Sequence, residues 1–248
     1  MKKQGINYLL WTFSIMMVCW GTCLICSVNG ITLADNVLLY IPYLLGGFSP
    51  TIASLIVTKS QKRLKEWLAN VFDFKHNLFS YIAVIVLSVL FVLPQCLISG
   101  YKIGAPLYTI VFMIPMMLLG GGLEEAGWRY ILQPLLEKKY NFVVATLLTG
   151  ILWWIWHLPL FFIQGVSQYG QNFFAFGINV LGLSFALASI RKTAKSVWLC
   201  VLFHCMINSL SGIYIVNNNI WGNVVSAVVL IVASFALIAA NDKKKILK

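Results

Sequence analysis

The apolar stretch Leu78-Phe-Ser-Tyr-Ile-Ala-Val-Ile-Val-Leu-Ser-Val-Leu-Phe-Val-Leu-Pro-Gln-Cys-Leu-Ile98 contains no Asp, Glu, Lys or Arg. As an α-helix rising ~1.5 Å per residue, it is long enough to cross the ~30 Å hydrocarbon core of a bilayer. In lipid the backbone polar groups must be satisfied within the segment, and the stretch lacks the period-two alternation of a barrel strand. It therefore predicts a transmembrane helix.

Seven more segments of similar length and composition accompany this one. We predict eight transmembrane helices in one all-α, polytopic bundle, at residues 8–28, 37–58, 78–98, 106–127, 142–163, 173–190, 197–216 and 220–240. The composition agrees, because 60% of the 248 residues are apolar and only 10% are charged. A soluble domain of this size needs more charge on its surface. We expect a single transmembrane domain over residues 1–248, in a multi-pass protein of the cell membrane.

The basic residues predict the orientation of the bundle. With both termini in the cytoplasm, 17 of the 18 Lys and Arg residues fall in cytoplasmic connections or tails, and only Lys102 falls on the other side. Such a distribution is the positive-inside pattern. The net charge of +11 is then explained by topology and by anionic lipid of the bilayer, so no nucleic-acid partner is expected.

Two features outside the spans have simple structural interpretations. The connection at residues 59–77 mixes charges with apolar side chains and predicts an amphipathic helix at the cytoplasmic interface. The six cysteines lie within spans and predict buried free thiols. Cys19, Cys23 and Cys26 share a helix face, but they have no His or carboxylate nearby and indicate a metal site only weakly.

The candidate chemistry lies with ionisable groups inside the apolar segments. Among the seven acidic residues, only Glu124 and Glu125 fall within a span, and His157 and His204 are also intramembrane. Such a group costs ~3 kcal/mol at the bilayer centre, and we therefore expect the four to converge on one another or on water.

Helical spacing assigns neighbours to these groups. Glu125 and Arg129 are four residues apart and can form an ion pair, whereas Glu124 is rotated by about 100° and points elsewhere. Asn208 follows His204 by the same spacing. A carboxylate with two imidazoles and a carboxamide can activate water and stabilise an oxyanion. His157 lies deeper in its helix than His204 does, so they meet only if the fifth helix begins well out in the cytoplasm, or if one helix tilts or breaks.

Three motifs in this order resemble the CAAX-protease and bacteriocin-processing family, which includes the type II CAAX prenyl endopeptidases and the bacterial abortive-infection (Abi) proteins. They are Glu124-Glu125-x-x-x-Arg129, an aromatic residue four positions before His157, and His204-x-x-x-Asn208. The family usually has Phe at the aromatic position, where this chain has Trp153. The protease-like core is predicted at about 106–216.

The resemblance implies an intramembrane endopeptidase that cleaves a peptide or membrane-associated protein. It makes Glu124 the general base with His157 beside it, His204 and Asn208 the groups on the scissile carbonyl, and Glu125 with Arg129 a structural pair. Zinc could be held by Glu124, His157 and His204, but no His-Glu-x-x-His motif requires it, and the metal-free mechanism is favoured. The substrate is expected to enter from the cytoplasm or from lipid.

A non-enzymatic alternative stays open at this point. Taken alone, the first motif could be a Glu pair at the membrane interface, and the second could be part of an aromatic belt. The third could form hydrogen bonds between helices. The polar cluster could then bind a partner or an ion in a transporter or in an immunity or accessory factor. The paired halves typical of transporters are not evident in the sequence.

Overall fold

The computed structural model of the chain describes residues 2–217 and 219–246. Four of the lysines that predict the orientation have side chains outside this described part: Lys2, Lys244, Lys245 and Lys248. Helices make up 78% of the structure, which confirms the all-α prediction. The α-helices are α1 Lys2–Val28, α2 Tyr40–Gly47, α3 Ser49–Ser60, α4 Leu64–Val71, α5 Leu78–Ser99, α6 Ile110–Met117, α7 Glu125–Gly127, α8 Gln133–Glu137, α9 Phe142–Trp156, α10 Phe173–Ala194, α11 Trp198–Ile213 and α12 Ile220–Ile246.

Shorter elements connect these helices. A π-helix at Trp128–Leu132 joins α7 to α8, and 3₁₀ helices lie at Val37–Leu39, Leu107–Thr109, Gly122–Glu124 and Leu158–Phe162. Two three-residue strands, β1 Tyr101–Ile103 and β2 Tyr214–Val216, pair antiparallel with Lys102 opposite Ile215. They tie the connection after α5 to the connection after α11.

The number of spans is less regular than predicted. Five helices among the described residues are long and apolar enough to cross a membrane, and seven segments qualify if each of two bent pairs is one span. The second predicted span bends by 53° between α2 and α3, and the fourth bends by 42° between Leu107–Met117 and Gly122–Glu137. The predicted seventh span forms only the 16 residues of α11. A multi-pass membrane fold is confirmed, but the count of eight is not.

Local sequence explains where the helices break. Three consecutive glycines at 120–122 interrupt the fourth span, and Gly121 has φ +134°, which L side chains rarely adopt. Pro159 occupies the first turn of the 3₁₀ helix that follows α9, because proline lacks the amide hydrogen that a continuing α-helix requires. α9 therefore ends at Trp156, and His157 caps it.

The bundle has two distinct ends. At the first, Gln4 contacts Gln61 at 3.5 Å and Arg191 pairs with Glu137 at 3.1 Å. We call this the basic end, because the Lys- and Arg-rich connections lie there. At the opposite end, the backbone N–H of Gln164 donates to Ser27 Oγ at 2.8 Å, and the β1–β2 pair lies at this end as well.

The predicted amphipathic helix corresponds to α4, at the basic end. Trp67 and Val71 are buried, whereas Leu68 is 47% exposed. The indole N–H of Trp67 donates to Ser54 Oγ at 2.9 Å, which fixes α4 against α3. The six cysteines are all free thiols.

Candidate functional site

Glu124 lies directly after the glycine break in the fourth span. It ends the 3₁₀ helix Gly122–Glu124, and its side chain is buried although it carries a carboxylate. Its Oε2 accepts a hydrogen bond of 2.9 Å from Trp153 Nε1. The carboxylate is thus oriented by an indole of α9, and its other oxygen is directed toward Gly121.

Glu125 has two buried partners. Arg129 Nε donates to its Oε2 at 3.0 Å, as the helical spacing predicts, although Arg129 lies in the π-helical segment Trp128–Leu132. Its Oε1 lies 2.9 Å from His204 Nδ1, and since a carboxylate only accepts, the imidazole donates here. The side chains of Glu125 and Arg129 have no exposed surface. The contact with His204 was not predicted, and it leaves His204 Nε2 directed away from Glu125.

A polar row continues from this pair toward the basic end. Arg129 donates to Gln133 Oε1 at 3.1 Å and to Ser184 Oγ at 3.2 Å. Gln133 donates in turn to Glu137 Oε1 at 2.9 Å. Every charged or amide group in the row has a partner, as burial requires. The row fixes Glu125 in place and thereby fixes His204.

His157 occupies the end of α9 and is buried. Its Nδ1 lies 2.8 Å from the carbonyl oxygen of Trp153, which can only accept, so Nδ1 carries the hydrogen. The rings of Trp156 and Phe176 pack on it, with centroid separations of 4.7 and 5.0 Å. These contacts hold the imidazole with Nε2 as its free acceptor.

Trp153 packs against both histidines, although the two lie at different depths in their helices. Its ring centroid lies 5.8 Å from that of His157 and 5.4 Å from that of His204. A break, one of the alternatives left open by the sequence, is present, because α9 stops at Trp156 and the chain continues as a 3₁₀ helix. Both imidazoles therefore flank one indole.

Asn208, His204 and Glu124 meet at Gly121. The Asn208 Nδ2 donates to the carbonyl oxygen of Gly120 at 2.9 Å. An ideal Cβ built on Gly121 would lie 2.8 Å from Asn208 Nδ2, 3.0 Å from His204 Nε2 and 3.4 Å from Glu124 Oε1. These three polar atoms therefore surround one point. Because each lies within 3.4 Å of that point, any two of them are close enough to contact the same small group.

A cavity of about 780 Å³ contains this meeting point. The four side chains to which sequence assigned catalysis all line it, together with Trp153. Its wall also includes Ser167, Gln168 and Gln171 from the connection after the 3₁₀ helix Leu158–Phe162, and β2. The cavity thus extends from the meeting point toward the opposite end of the bundle. Entry of the substrate from the cytoplasm or from lipid stays a prediction.

The donor set does not fit a metal ion. Among the described residues, no three His, Cys, Asp or Glu side chains are placed to hold one ion together. Glu124, His157 and His204 line one cavity, but each imidazole packs against the indole of Trp153. Cys19, Cys23 and Cys26 likewise form no such group in this part of the chain.

Sequence reasoning missed two residues of the site and understated a third. Trp153 was identified only as the aromatic residue of the second motif, although an indole brings a hydrogen-bond donor that Phe lacks. No role was predicted for Gly121. Glu125 was assigned one partner because helical spacing identifies neighbours within a helix and gives no information about α11.

Comparison with known proteins agrees with the motif positions. The profile of the family described as type II CAAX prenyl endopeptidase Rce1-like matches residues 106–210. The chain is also 27% identical over 226 residues to CAAX prenyl protease 2 of Methanococcus maripaludis, and this alignment covers 81% of each protein. All four cavity residues and the Glu125–Arg129 pair fall inside the matched region.

Proposed function

We infer that this chain, which belongs through residues 106–210 to the Rce1-like family of type II CAAX prenyl endopeptidases, is an intramembrane endopeptidase that activates water with Glu124. The observation that carries the proposal is the meeting of Glu124 Oε1, His204 Nε2 and Asn208 Nδ2 around Gly121, inside a cavity. A general base and two hydrogen-bond groups are the minimum set for attack of water on a peptide carbonyl.

Glu124 is assigned the role of general base. Its Oε2 is held by Trp153 Nε1, so Oε1 is the oxygen left to take a proton from water. The indole hydrogen bond fixes the carboxylate plane and cannot itself remove the proton, since indole only donates. Attack then forms the bond from the water oxygen to the carbonyl carbon, and the proton moves to Glu124.

Asn208 and His204 are assigned to the developing oxyanion. Asn208 uses one amide hydrogen on Gly120, and its second hydrogen is available to the cavity. His204 acts here as an imidazolium whose Nδ1–H is bound by Glu125, so that Nε2–H faces the cavity. Donors fixed before the reaction stabilise the transition state without reorganisation.

His157 is assigned the second proton transfer. Its Nδ1–H is engaged by the Trp153 carbonyl, and Nε2 is therefore the nitrogen that can exchange a proton with water or with the leaving amine. Collapse of the tetrahedral intermediate breaks the C–N bond, and the amine takes up the proton that Glu124 removed. His157 would relay that proton through water.

Membrane proteomics tests the proposal. Cells producing the wild-type chain, Glu124→Gln or Glu66→Gln are compared for peptides with new termini. Glu66 is a matched control because it is a half-exposed carboxylate paired with Arg63 on α4, far from the cavity. We expect new termini with wild type and Glu66→Gln and none with Glu124→Gln. Identical peptide sets from all three chains, each folded and present at equal levels, would contradict the assignment.

A further inference from the structure

A second cavity lies at the basic end, apart from the site around Gly121. It has a volume of about 530 Å³, within the ~300–1,000 Å³ that small-molecule sites usually occupy. Its walls come from Gln4 of α1, the end of α3 with α4, the segment from the π-helix through α8, and the end of α10. None of the described residues lines both cavities, so this one is a separate space.

The lining of this second cavity is strongly cationic. Six of its side chains are cations, and one, Glu137, is a carboxylate. The cations are Arg63, Arg129, Lys138, Arg191, Lys192 and Lys195. They come from four separate segments of the chain, which the fold brings around one space.

Half of these cations lack a compensating carboxylate. Each of the three arginines forms an ion pair, Arg191 with Glu137 and the other two with Glu66 and Glu125, which lie outside this lining. The three lysines form no ion pair with any carboxylate that the structure describes. Like charges around one cavity repel each other, and a bound anion would remove that repulsion.

A buried hydroxyl on the same wall has no hydrogen-bond partner. Thr58 is only 3% exposed, and its Oγ1 contacts no donor or acceptor among the described residues. The carbonyl oxygen of Thr58, in contrast, accepts from the backbone N–H groups of Gln61 and Arg63 at 3.1 Å each. Buried polar groups rarely stay unpaired, so this hydroxyl indicates a place for a ligand oxygen.

Helix ends explain part of the charge but not this hydroxyl. Both α8 and α10 end at the cavity, and cations are favourable at helix C-termini. That effect acts within the last turn of each helix and requires nothing of Thr58, which belongs to α3. The charge and the unpaired hydroxyl are therefore independent observations on one cavity.

We propose that this cavity binds a phosphate group, supplied by the headgroup of a phospholipid or by a free phosphate compound. Phosphate oxygens accept hydrogen bonds from ammonium, guanidinium and hydroxyl groups, and the negative charge matches the three uncompensated lysines. Lys138, Lys192 and Lys195 are exposed and reach the anion from the solvent side, whereas Thr58 supplies its hydroxyl from the buried wall. This binding is independent of the protease function inferred above.

Thermal unfolding of the purified full-length chain in detergent tests the site. Inorganic phosphate is titrated and compared with chloride at equal ionic strength, and the apparent Kd follows from the rise of the midpoint. Lys195→Asn removes one cation from the lining, and Lys62→Asn is its matched control. Both lysines are exposed and have a left-handed backbone, with φ of +54° and +57°, which Asn tolerates. Only Lys195 lines the cavity.

We expect phosphate to raise the midpoints of wild type and Lys62→Asn equally, and more than chloride does. Lys195→Asn should weaken the apparent affinity about fivefold. Thr58→Val, the second variant if Lys195→Asn does not fold, should weaken it by a similar factor without lowering the midpoint in chloride, because its hydroxyl has no partner to lose. Equal affinities of Lys195→Asn and Lys62→Asn, or equal effects of phosphate and chloride on wild type, would overturn the proposal, since diffuse surface charge explains either result.

Native mass spectrometry of the chain extracted from membranes identifies the source of the phosphate. A phospholipid that wild type and Lys62→Asn retain, that Lys195→Asn loses and that inorganic phosphate displaces identifies a headgroup as the ligand. Phosphate-specific stabilisation of a chain that retains no phospholipid identifies a free phosphate compound. Both results support the site. Lipid retained equally by all three chains and not displaced by phosphate, together with no phosphate-specific stabilisation, overturns it.

Discussion

Glu125→Gln is the most demanding test of the buried network, because this one substitution removes the carboxylate that accepts hydrogen bonds from both Arg129 and His204. Glu125 Oε2 receives Arg129 Nε–H at 3.0 Å, and Oε1 receives His204 Nδ1–H at 2.9 Å. A Gln side chain keeps the shape but presents one NH₂ group. If that group faces Arg129, one donor is placed against another donor. If it faces His204, the imidazole must give up its Nδ1 hydrogen and accept through that nitrogen.

The magnitude follows from burial. Neither Glu125 nor Arg129 has exposed side-chain surface, so water cannot replace the lost charge. Breaking a buried ion pair by removal of one partner costs about 3–5 kcal/mol, a large part of the ~5–15 kcal/mol that stabilises a typical domain. For a chain of this length we expect the thermal midpoint in detergent to fall on the order of 10 °C.

Glu124→Gln is the matched comparison on the neighbouring residue. Glu124 has one hydrogen bond, from Trp153 Nε1, which the carbonyl oxygen of Gln can also accept. We expect a change in unfolding free energy of no more than about 1 kcal/mol, with hydrolysis reduced by about 10²–10⁴-fold because the base is lost. Both midpoints are measured by thermal unfolding of purified protein, with Glu66→Gln as the surface control. Equal destabilisation by Glu124→Gln and Glu125→Gln would refute the division of roles.

Three further predictions concern the site itself. Gly121→Ala should abolish hydrolysis, since a Cβ would sit within 3.4 Å of three polar atoms at a φ of +134°; activity retained in a folded variant would contradict the convergence. Asn208→Ala should lower kcat by about 10²–10³-fold with a smaller effect on KM, because the lost donor acts in the transition state; a change confined to KM would assign Asn208 to substrate binding. Dialysis against a chelator should leave hydrolysis unchanged in a discontinuous assay of product peptide, because the donors do not group as metal ligands; activity that is lost on dialysis and restored by zinc would reverse this prediction.

The cost of polar groups in lipid explains why the site could be located from sequence. Glu124, His157 and His204 had no economical position except together, and the structure brings all three to the wall of one cavity. The helical segments were similarly evident, since only long apolar runs can satisfy their own backbone in lipid. Periodicity also placed Arg129 beside Glu125.

The sequence pattern could not predict contacts between helices. The His204–Glu125 contact joins residues 79 positions apart, and the Trp153–Glu124 contact joins residues 29 apart. Helical spacing predicts only which groups share a face of one helix.

The break in the fourth span connects the chemistry to the fold. Non-helical backbone at membrane depth is tolerated only where protein covers it or where it lines a water-filled cavity. The break at Gly120 and Gly121 meets this condition, since both residues line the cavity and the Gly120 carbonyl oxygen accepts from Asn208. In a continuous helix, a residue with a side chain at position 121 would fill this space. The carbonyl oxygen of Gly120 would then accept from the helix's own backbone. The interruption therefore creates the point at which three polar groups meet and supplies one of their hydrogen-bond partners.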